Sequence, residues 1–211
     1  IEKESLITYS ITNTFTSRSK KHTVGKGKRQ ESEYDEPTYT YHEFCHFKLE
    51  QSYDINKANE HDPEPFSPIY GGLELVPGKY FSMQADAVWS QYESTLLSHN
   101  AAINIWDKRG DKIFVEHRYT RDSSESIYTD FLLKISNRIS VYADYERNIY
   151  DSKDIRTGLG FLYKAQCWSL DLSYTEEENE RRYAFMVNLY GLGGLGKSFL
   201  ERKIGRLLDR D

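Results

Sequence analysis

The feature that most constrains this chain is a two-residue alternation of apolar and polar side chains, repeated in long segments. In 79–90, Phe81, Met83, Ala85, Ala87 and Trp89 share one face, and Ser82, Gln84, Asp86 and Ser90 share the other. In 167–176, Trp168, Leu170, Leu172 and Tyr174 oppose Cys167, Ser169, Asp171 and Ser173. Ile139, Val141, Ala143 and Tyr145 oppose Ser140, Asp144 and Glu146 in 138–148, and Ile113, Val115 and Tyr119 oppose Lys112, Glu116 and Arg118 in 111–121. Successive side chains of a strand point to opposite faces, so this period predicts β-strands with one apolar and one polar face. About eleven segments fit: 3–15, 38–54, 70–77, 79–90, 93–106, 111–121, 126–135, 138–148, 153–165, 167–176 and 181–190.

Most of these segments are longer than the five or six residues usual in globular sheets. A tilted strand needs about 9–11 residues to cross a bilayer. Length and alternation together predict an all-β, antiparallel fold: a segment of about eleven strands from a large transmembrane outer-membrane β-barrel. A soluble antiparallel sheet with one wet face shows the same alternation and stays open as an alternative. Composition agrees with strands, with 17 Tyr and 10 Phe against 2 Met. Hydrophobic residues make up 38% of the 211 and mean hydropathy is -0.74, which excludes a helical membrane protein. It does not exclude a barrel, whose strands alternate lipid-facing and lumen-facing residues. A net charge of -5 argues against nucleic acid, which wants a basic face.

Bacterial barrels have short periplasmic turns, longer outer loops and a periplasmic C-terminus. Counted backward on that basis, Glu176–Arg181 is outside, Lys164–Gln166 periplasmic, Asn148–Lys153 outside, Ser136–Asn137 inside, Arg121–Glu125 outside and Asp107–Asp111 inside. Pro77–Gly78 falls inside and Asn56–Ile69 outside. The exception is 17–37, a long basic segment with Arg18, Lys20, Lys21, Lys26, Lys28 and Arg29 that falls in the periplasm. It reads as a solvated loop, with a lipid-phosphate contact as the alternative. In the tail 197–211, Leu200, Ile204, Leu207 and Leu208 fit one face of a short amphipathic helix; a frayed terminus fits as well.

Three motifs look like chemistry. Gly191–Ser198 matches the P-loop pattern G-x-x-x-x-G-K-S, and the same glycines match a dinucleotide fingerprint. Nucleotide sites of that kind need an alternating parallel α/β sheet, and the upstream pattern has no helices. His42-Glu43-Phe44-Cys45-His46 matches H-E-x-x-H, which binds zinc only on a helix. Its flanks are strand residues, and on a strand positions four apart lie about 13 Å from one another. No G-x-S-x-G elbow is present. The chain is therefore read as a non-enzyme with no cofactor and no metal site. Two cysteines, Cys45 and Cys167, are too few for a disulfide scaffold; they can pair together, stay free, or pair elsewhere.

From Arg156 the chain reads Thr-Gly-Leu-Gly-Phe-Leu-Tyr-Lys-Ala-Gln-Cys-Trp-Ser-Leu-Asp-Leu-Ser-Tyr, and after an acidic loop Arg182-Tyr-Ala-Phe-Met-Val-Asn-Leu-Tyr-Gly-Leu-Gly. This resembles the end of the barrel in the lipopolysaccharide-assembly LptD (OstA) family. There a Tyr-x-x-x-Cys-Trp strand precedes a final strand that ends in a Gly-Leu-Gly-like turn. Thr12-Asn13, Leu49-x-Gln51-Ser52-Tyr53-Asp54 and Pro65-Phe66-Ser67 resemble the family more loosely. The specific part is 156–194.

The resemblance implies a periplasmic jelly roll and a very large barrel of about 26 strands, in the outer membrane of a Gram-negative bacterium. It implies an LptE-like lipoprotein plug, an LptA-like periplasmic bridge reached through the N-terminal domain, and lipopolysaccharide leaving sideways between the first and last strands. Residues 1–196 would be a partial barrel and 197–211 a periplasmic tail. Strand 181–190 would be one side of the lateral gate, with Tyr183, Phe185, Val187 and Leu189 on one face and Ala184, Met186 and Asn188 on the other. Cys167 fits a family cysteine that bonds to the periplasmic domain, and parity sets it at that rim. Jelly roll and much of the barrel are not in this chain, which reads as a fragment unable to transport alone. A porin-like barrel and a soluble β-rich binding module are the competing readings.

Overall fold

The computed structural model describes residues 5–20, 39–59, 64–178, 180–191 and 193–196. Twelve strands and one short helix occur among them. The chain divides into two compact units, Ile1–Thr95 and Leu96–Asp211.

In the first unit, β1 (Leu6–Lys20), β2 (Tyr39–Asp54), β3 (Ile69–Gly78) and β4 (Phe81–Ser90) pair antiparallel in chain order. The register puts Ile11, Leu49, Gly71 and Ala87 in one row, and Phe15, Cys45, Leu75 and Met83 in another. Thr12, Lys48, Gly72 and Asp86 align on the opposite face. The alternation read from sequence is thus preserved across four strands. A bulge between Phe15 and Thr16 puts two β2 residues, Phe44 and Cys45, opposite one of β1.

After β2 comes α1 (Ile55–Asn59), which is too short for sequence periodicity to reveal. Asp54 starts it, its Oδ1 accepting the N–H groups of Asn56 (2.9 Å) and Lys57 (3.3 Å). The following segment folds back on β2: Ser67 N–H donates to the Ser52 carbonyl, and the Phe66 and Tyr53 rings lie 5.0 Å apart.

The second unit contains β5 (Thr95–Trp106), β6 (Lys112–Thr120), β7 (Ser124–Lys134), β8 (Ile139–Asn148), β9 (Lys153–Lys164), β10 (Trp168–Glu177), β11 (Glu180–Leu189) and β12 (Gly193–Gly196). They also form an antiparallel meander. One row runs Ile113, Phe131, Ala143, Leu159, Tyr174, Tyr183. The neighbouring row on the other face runs Asp130, Asp144, Gly158, Thr175, Arg182.

Burial is inverted relative to a soluble sheet. Glu116, Asp144, Asp171 and Tyr142 on the polar face are buried, whereas Ile113, Leu159, Leu172, Tyr183 and Phe185 on the apolar face are exposed. A polar interior with an apolar outer band is the pattern of a membrane barrel, and this antiparallel sheet is an open segment of one.

The hairpins are tight. Asp122, Ser152 and Glu178 adopt positive φ in the β6–β7, β8–β9 and β10–β11 turns, and Gly110 does so between β5 and β6. A left-handed residue lets a short turn follow the twist of its two strands.

Three expectations need correction. β1 continues to Lys20, so Arg18 and Lys20 stand in a strand, where Arg18 stacks on Tyr39 at 3.8 Å; no apolar residue after Phe15 signals this extension. The glycine-rich stretch forms β12, so the strand read as 181–190 is followed by another. Asn56–Ile69, read as a loop, begins with all of α1 but its first residue. The remaining basic residues of 21–38 and the proposed tail helix in 197–211 lie outside the described residues.

Candidate functional site

β11 is flanked unequally on its two sides. Along its whole length it pairs with β10, from Glu180 opposite Glu177 to Leu189 opposite Trp168. On its other side β12 covers only Met186, Val187, Asn188 and Leu189. Among the described residues, Glu180–Phe185 has no strand on that side. Exposed edge groups are a template for another strand.

The side chains of β11 divide by face. Tyr183, Phe185, Val187 and Leu189 share the apolar face with Tyr174, Leu172, Leu170 and Trp168. Tyr183 (80% exposed) and Phe185 (64%) are among the most exposed large apolar residues, and the Tyr183 ring lies 5.1 Å from that of Tyr174. A shallow apolar hollow beside them is lined by Phe131, Leu159, Phe161, Leu172, Tyr183 and Phe185. Ala184, Met186 and Asn188 lie on the polar face, opposite Ser173, Asp171 and Ser169.

Behind this edge, a ladder of ion pairs crosses four strands on the polar face. Asp144 of β8 meets Arg156 Nε of β9 at 2.8 Å. Arg156 reaches Glu177 of β10 at 3.5 Å, and Glu177 meets Arg182 of β11 at 3.4 Å. Arg182 also holds Glu180 at 2.6 Å. Beside the ladder, the Tyr142 hydroxyl donates to Asp171 Oδ1 at 2.7 Å.

Two glycines make room for these groups. A Cβ on Gly158 would overlap the Asp144 carboxylate, and one on Gly160 would overlap the Tyr142 ring. Sequence reasoning missed this cluster. The usable signal was Gly158 and Gly160 two apart inside a strand, which marks a close approach.

A second polar string lies on the apolar face of β5–β7. His99 Nε2 is 3.0 Å from His117 Nδ1, and His117 Nε2 is 3.1 Å from Glu125 Oε1. The carboxylate requires a proton on His117 Nε2, so in the neutral string His99 donates to His117. The His99 ring stacks on Tyr119 at 5.1 Å.

Cys167 is exposed in the turn before β10, where its carbonyl accepts the Tyr190 N–H at 2.9 Å. It therefore stands beside the C-terminal end of β11. Cys45 is half-exposed on the apolar face of β2, opposite Phe15 and Leu75. Both are free thiols, so Cys45 and Cys167 are not paired with one another.

The H-E-x-x-H residues lie on β2, where His42 Nε2 is 2.9 Å from the Val76 carbonyl. Among the described residues no group of three side chains suits a metal ion. The P-loop-like glycines Gly193, Gly194 and Gly196 are paired in an extended strand, not curled around an anion-sized space.

In the β5–β6 turn, Asp107 Oδ1 accepts the N–H groups of Arg109 (2.8 Å), Gly110 (2.9 Å) and Asp111 (2.9 Å). Desolvation pushes its carboxyl up. The opposing hydrogen bonds from Asp111, Arg109 and Gly110 outweigh that and hold it below the usual carboxylate range.

A family model, LptD (LPS transport system D), matches residues 1–150. The LPS-assembly protein LptD of Hahella chejuensis (strain KCTC 2396) is 24% identical over 147 residues, which is 64% of this chain and 18% of that protein. The chain thus spans less than a fifth of that curated relative. The family match falls on β1–β8, upstream of the 156–194 stretch whose motifs carry the resemblance most specifically.

Proposed function

The chain belongs to the LptD family, and from that membership we propose that it is the C-terminal barrel portion of an outer-membrane lipopolysaccharide translocon. The observation that carries this reading is the inside-out sheet. Its long strands present Tyr183, Phe185, Leu172 and Leu159 outward and hold Asp144, Glu116 and Asp171 inside. That suits a wall between lipid and a polar lumen, not a catalyst.

Open strand edges are not viable in hydrocarbon. Among the described residues, β1 and the Glu180–Phe185 part of β11 each have a strand on one side only, which supports the view that further strands of a longer protein complete the barrel. In this reading β11 is one side of a lateral gate. Tyr183, Phe185, Val187 and Leu189 touch the passing acyl chains, and Ala184, Met186 and Asn188 face the lumen. An LptE-like lipoprotein occupies the lumen, an LptA-like bridge delivers the glycolipid from the periplasm, and Cys167 bonds to the periplasmic domain.

Photocrosslinking in the full-length protein tests the gate. A crosslinker at Tyr183 is expected to capture lipopolysaccharide well above one at Ile113, which lies on the same face five strands away. Equal capture at both positions would remove the gate assignment. Cys167 has its own test: Cys167→Ser should abolish a mobility difference between reduced and non-reduced full-length protein, and an unchanged pattern counts against the disulfide.

A further inference from the structure

The two ends of the second unit carry opposite charge. The turns at one end, 107–112, 134–138 and 164–167, hold six cations and two carboxylates. The turns at the other end, 121–125, 147–154 and 176–181, hold four cations and eight carboxylates. The cations also differ in what they meet. Arg121, Arg147 and Arg181 at the acidic end each have a carboxylate within 3.8 Å. At the basic end, Asp107 and Asp111 are already engaged by Arg109 and by backbone N–H groups. Lys108, Lys112, Lys134, Arg138 and Lys164 are exposed there, and among the described residues no ion pair engages them.

These cations form one rim. The Lys134 N–H donates to Asp111 Oδ1 at 2.6 Å, and a Cβ on Gly110 would overlap the Lys134 ammonium. The Lys164 N–H donates to the Arg138 carbonyl at 2.7 Å. Three hairpin ends are thus stitched side by side. Strands lie about 4.8 Å apart, so from β6 to β9 the rim is about 14 Å wide. Register sets Lys112, Lys134 and Lys164 on the face of Glu116, Asp130 and Asp171. Leu133, Tyr163 and Trp168 lie at the same end on the apolar face.

We propose that this basic rim is a receiving site for the phosphorylated sugar headgroup of a glycolipid. Lysine is a compact point charge that suits phosphate, and a row of unpaired cations raises the local concentration of an anion. A phospholipid headgroup would approach from the apolar face. Three lysines on the polar face fit a hydrophilic headgroup that enters the lumen. The width of the row suits several phosphates on one oligosaccharide, not a single phosphate. The acidic far end offers no matching hold, so the field favours entry here and release there. This rests on the translocon reading, which puts these turns at the periplasmic mouth.

The test uses the full-length protein in its host membrane, with a photocrosslinker at the exposed Asn137 in the β7–β8 turn. The expected adduct is lipopolysaccharide. Lys134→Glu with Lys164→Glu should lower its yield, per membrane-inserted protein, about tenfold. Should that pair fail to insert, Lys134→Gln with Lys164→Gln reads the same effect at about threefold. Lys134→Arg with Lys164→Arg keeps both charges and should hold the yield within about twofold. Lys153→Glu, at the acidic end, should leave it unchanged. A yield that ignores the loss of both lysines overturns the proposal, and so does an equal fall with Lys153→Glu. An adduct to phospholipid or to protein without lipopolysaccharide also overturns it. Capture at Tyr183 is read in parallel. Capture there but not at Asn137 removes the rim and keeps the gate; charge-dependent capture at Asn137 alone removes the gate and keeps the rim.

Discussion

The hairpin β1–β2 and the strands β8–β10 are built on the same alternation but differ in what their polar faces hold. β1 is exposed along its whole length, and its polar face is mostly hydroxyls: Thr8, Ser10, Thr12 and Thr14. β8 has a neighbour on each side, and its polar face carries Ser140, Tyr142 and Asp144, all buried. Alternation sets which way a side chain points. Neighbouring strands, and the glycines they supply, decide whether a charge on that side can be buried and paired. The first region tolerates change, and the second is a matched set in which Gly158, Gly160, Arg156 and Asp171 depend on their partners.

Removing a charge from the ladder should break this contrast most sharply. Asp144 has no exposed side-chain surface, whereas Arg156 keeps 21%. Asp144→Ala leaves a largely buried guanidinium short of a partner and should cost about 3 kcal/mol in urea unfolding of the membrane-reconstituted barrel. Thr12→Ala on β1 should stay within about 0.5 kcal/mol in the same assay. Equal effects would mean that the ladder is not distinct from the edge hairpin.

Filling a glycine seat comes next. Gly160→Val displaces the Tyr142 ring and should cost about 2 kcal/mol. Tyr142→Ala should relieve much of that loss, seen as a favourable coupling in a double-mutant cycle. Additive losses would show that ring and glycine do not share the space. Smaller again, Tyr142→Phe keeps the ring but loses the hydrogen bond to Asp171, for about 1 kcal/mol.

The smallest expected effect is in a turn. The Asp107 carboxyl is held below its ordinary range, so its contribution is full above the unfolded-state value. It is lost as pH falls through the depressed folded value. Amide exchange at Arg109, Gly110 and Asp111 should therefore accelerate in acid beyond the intrinsic trend. Asp107→Asn should remove that acid response, and a persistent response in the variant would place its origin elsewhere.

Much of the architecture was legible because a two-residue period survives any tertiary context. Phe81, Met83, Ala85, Ala87 and Trp89 line one face as their spacing requires. The division of β11 into Tyr183, Phe185, Val187 and Leu189 against Ala184, Met186 and Asn188 was equally readable. What stayed hidden lacked a periodic signal or needed register. Residues 16–20 of β1 carry no apolar side chain, α1 is five residues long, and β12 is mostly glycine. Asp144 and Arg156 are twelve positions apart, and nothing local to either names the other. Their meeting depends on the strand pairing and on an irregularity between Glu146 and Arg147. The family motifs near Cys167 stood out because they are compact, yet the family match falls on 1–150, where similarity is spread thinly over alternating strands.

The meander also says something about how such a wall can be built. Within the second unit every strand pairs with its neighbours in sequence, through turns of a few residues. The residues at positive φ, Asp122, Ser152 and Glu178, recur in the hairpins that join β6–β7, β8–β9 and β10–β11. Closing short loops carries little entropic cost, and local contacts form early. A one-residue slip would turn an entire lipid-facing row inward, so a turn that settles register when its hairpin forms removes that error before the next strand arrives. The sheet can thus grow two strands at a time from its open edge. Each added hairpin has its faces already sorted, and the nascent wall never needs to search for a distant partner.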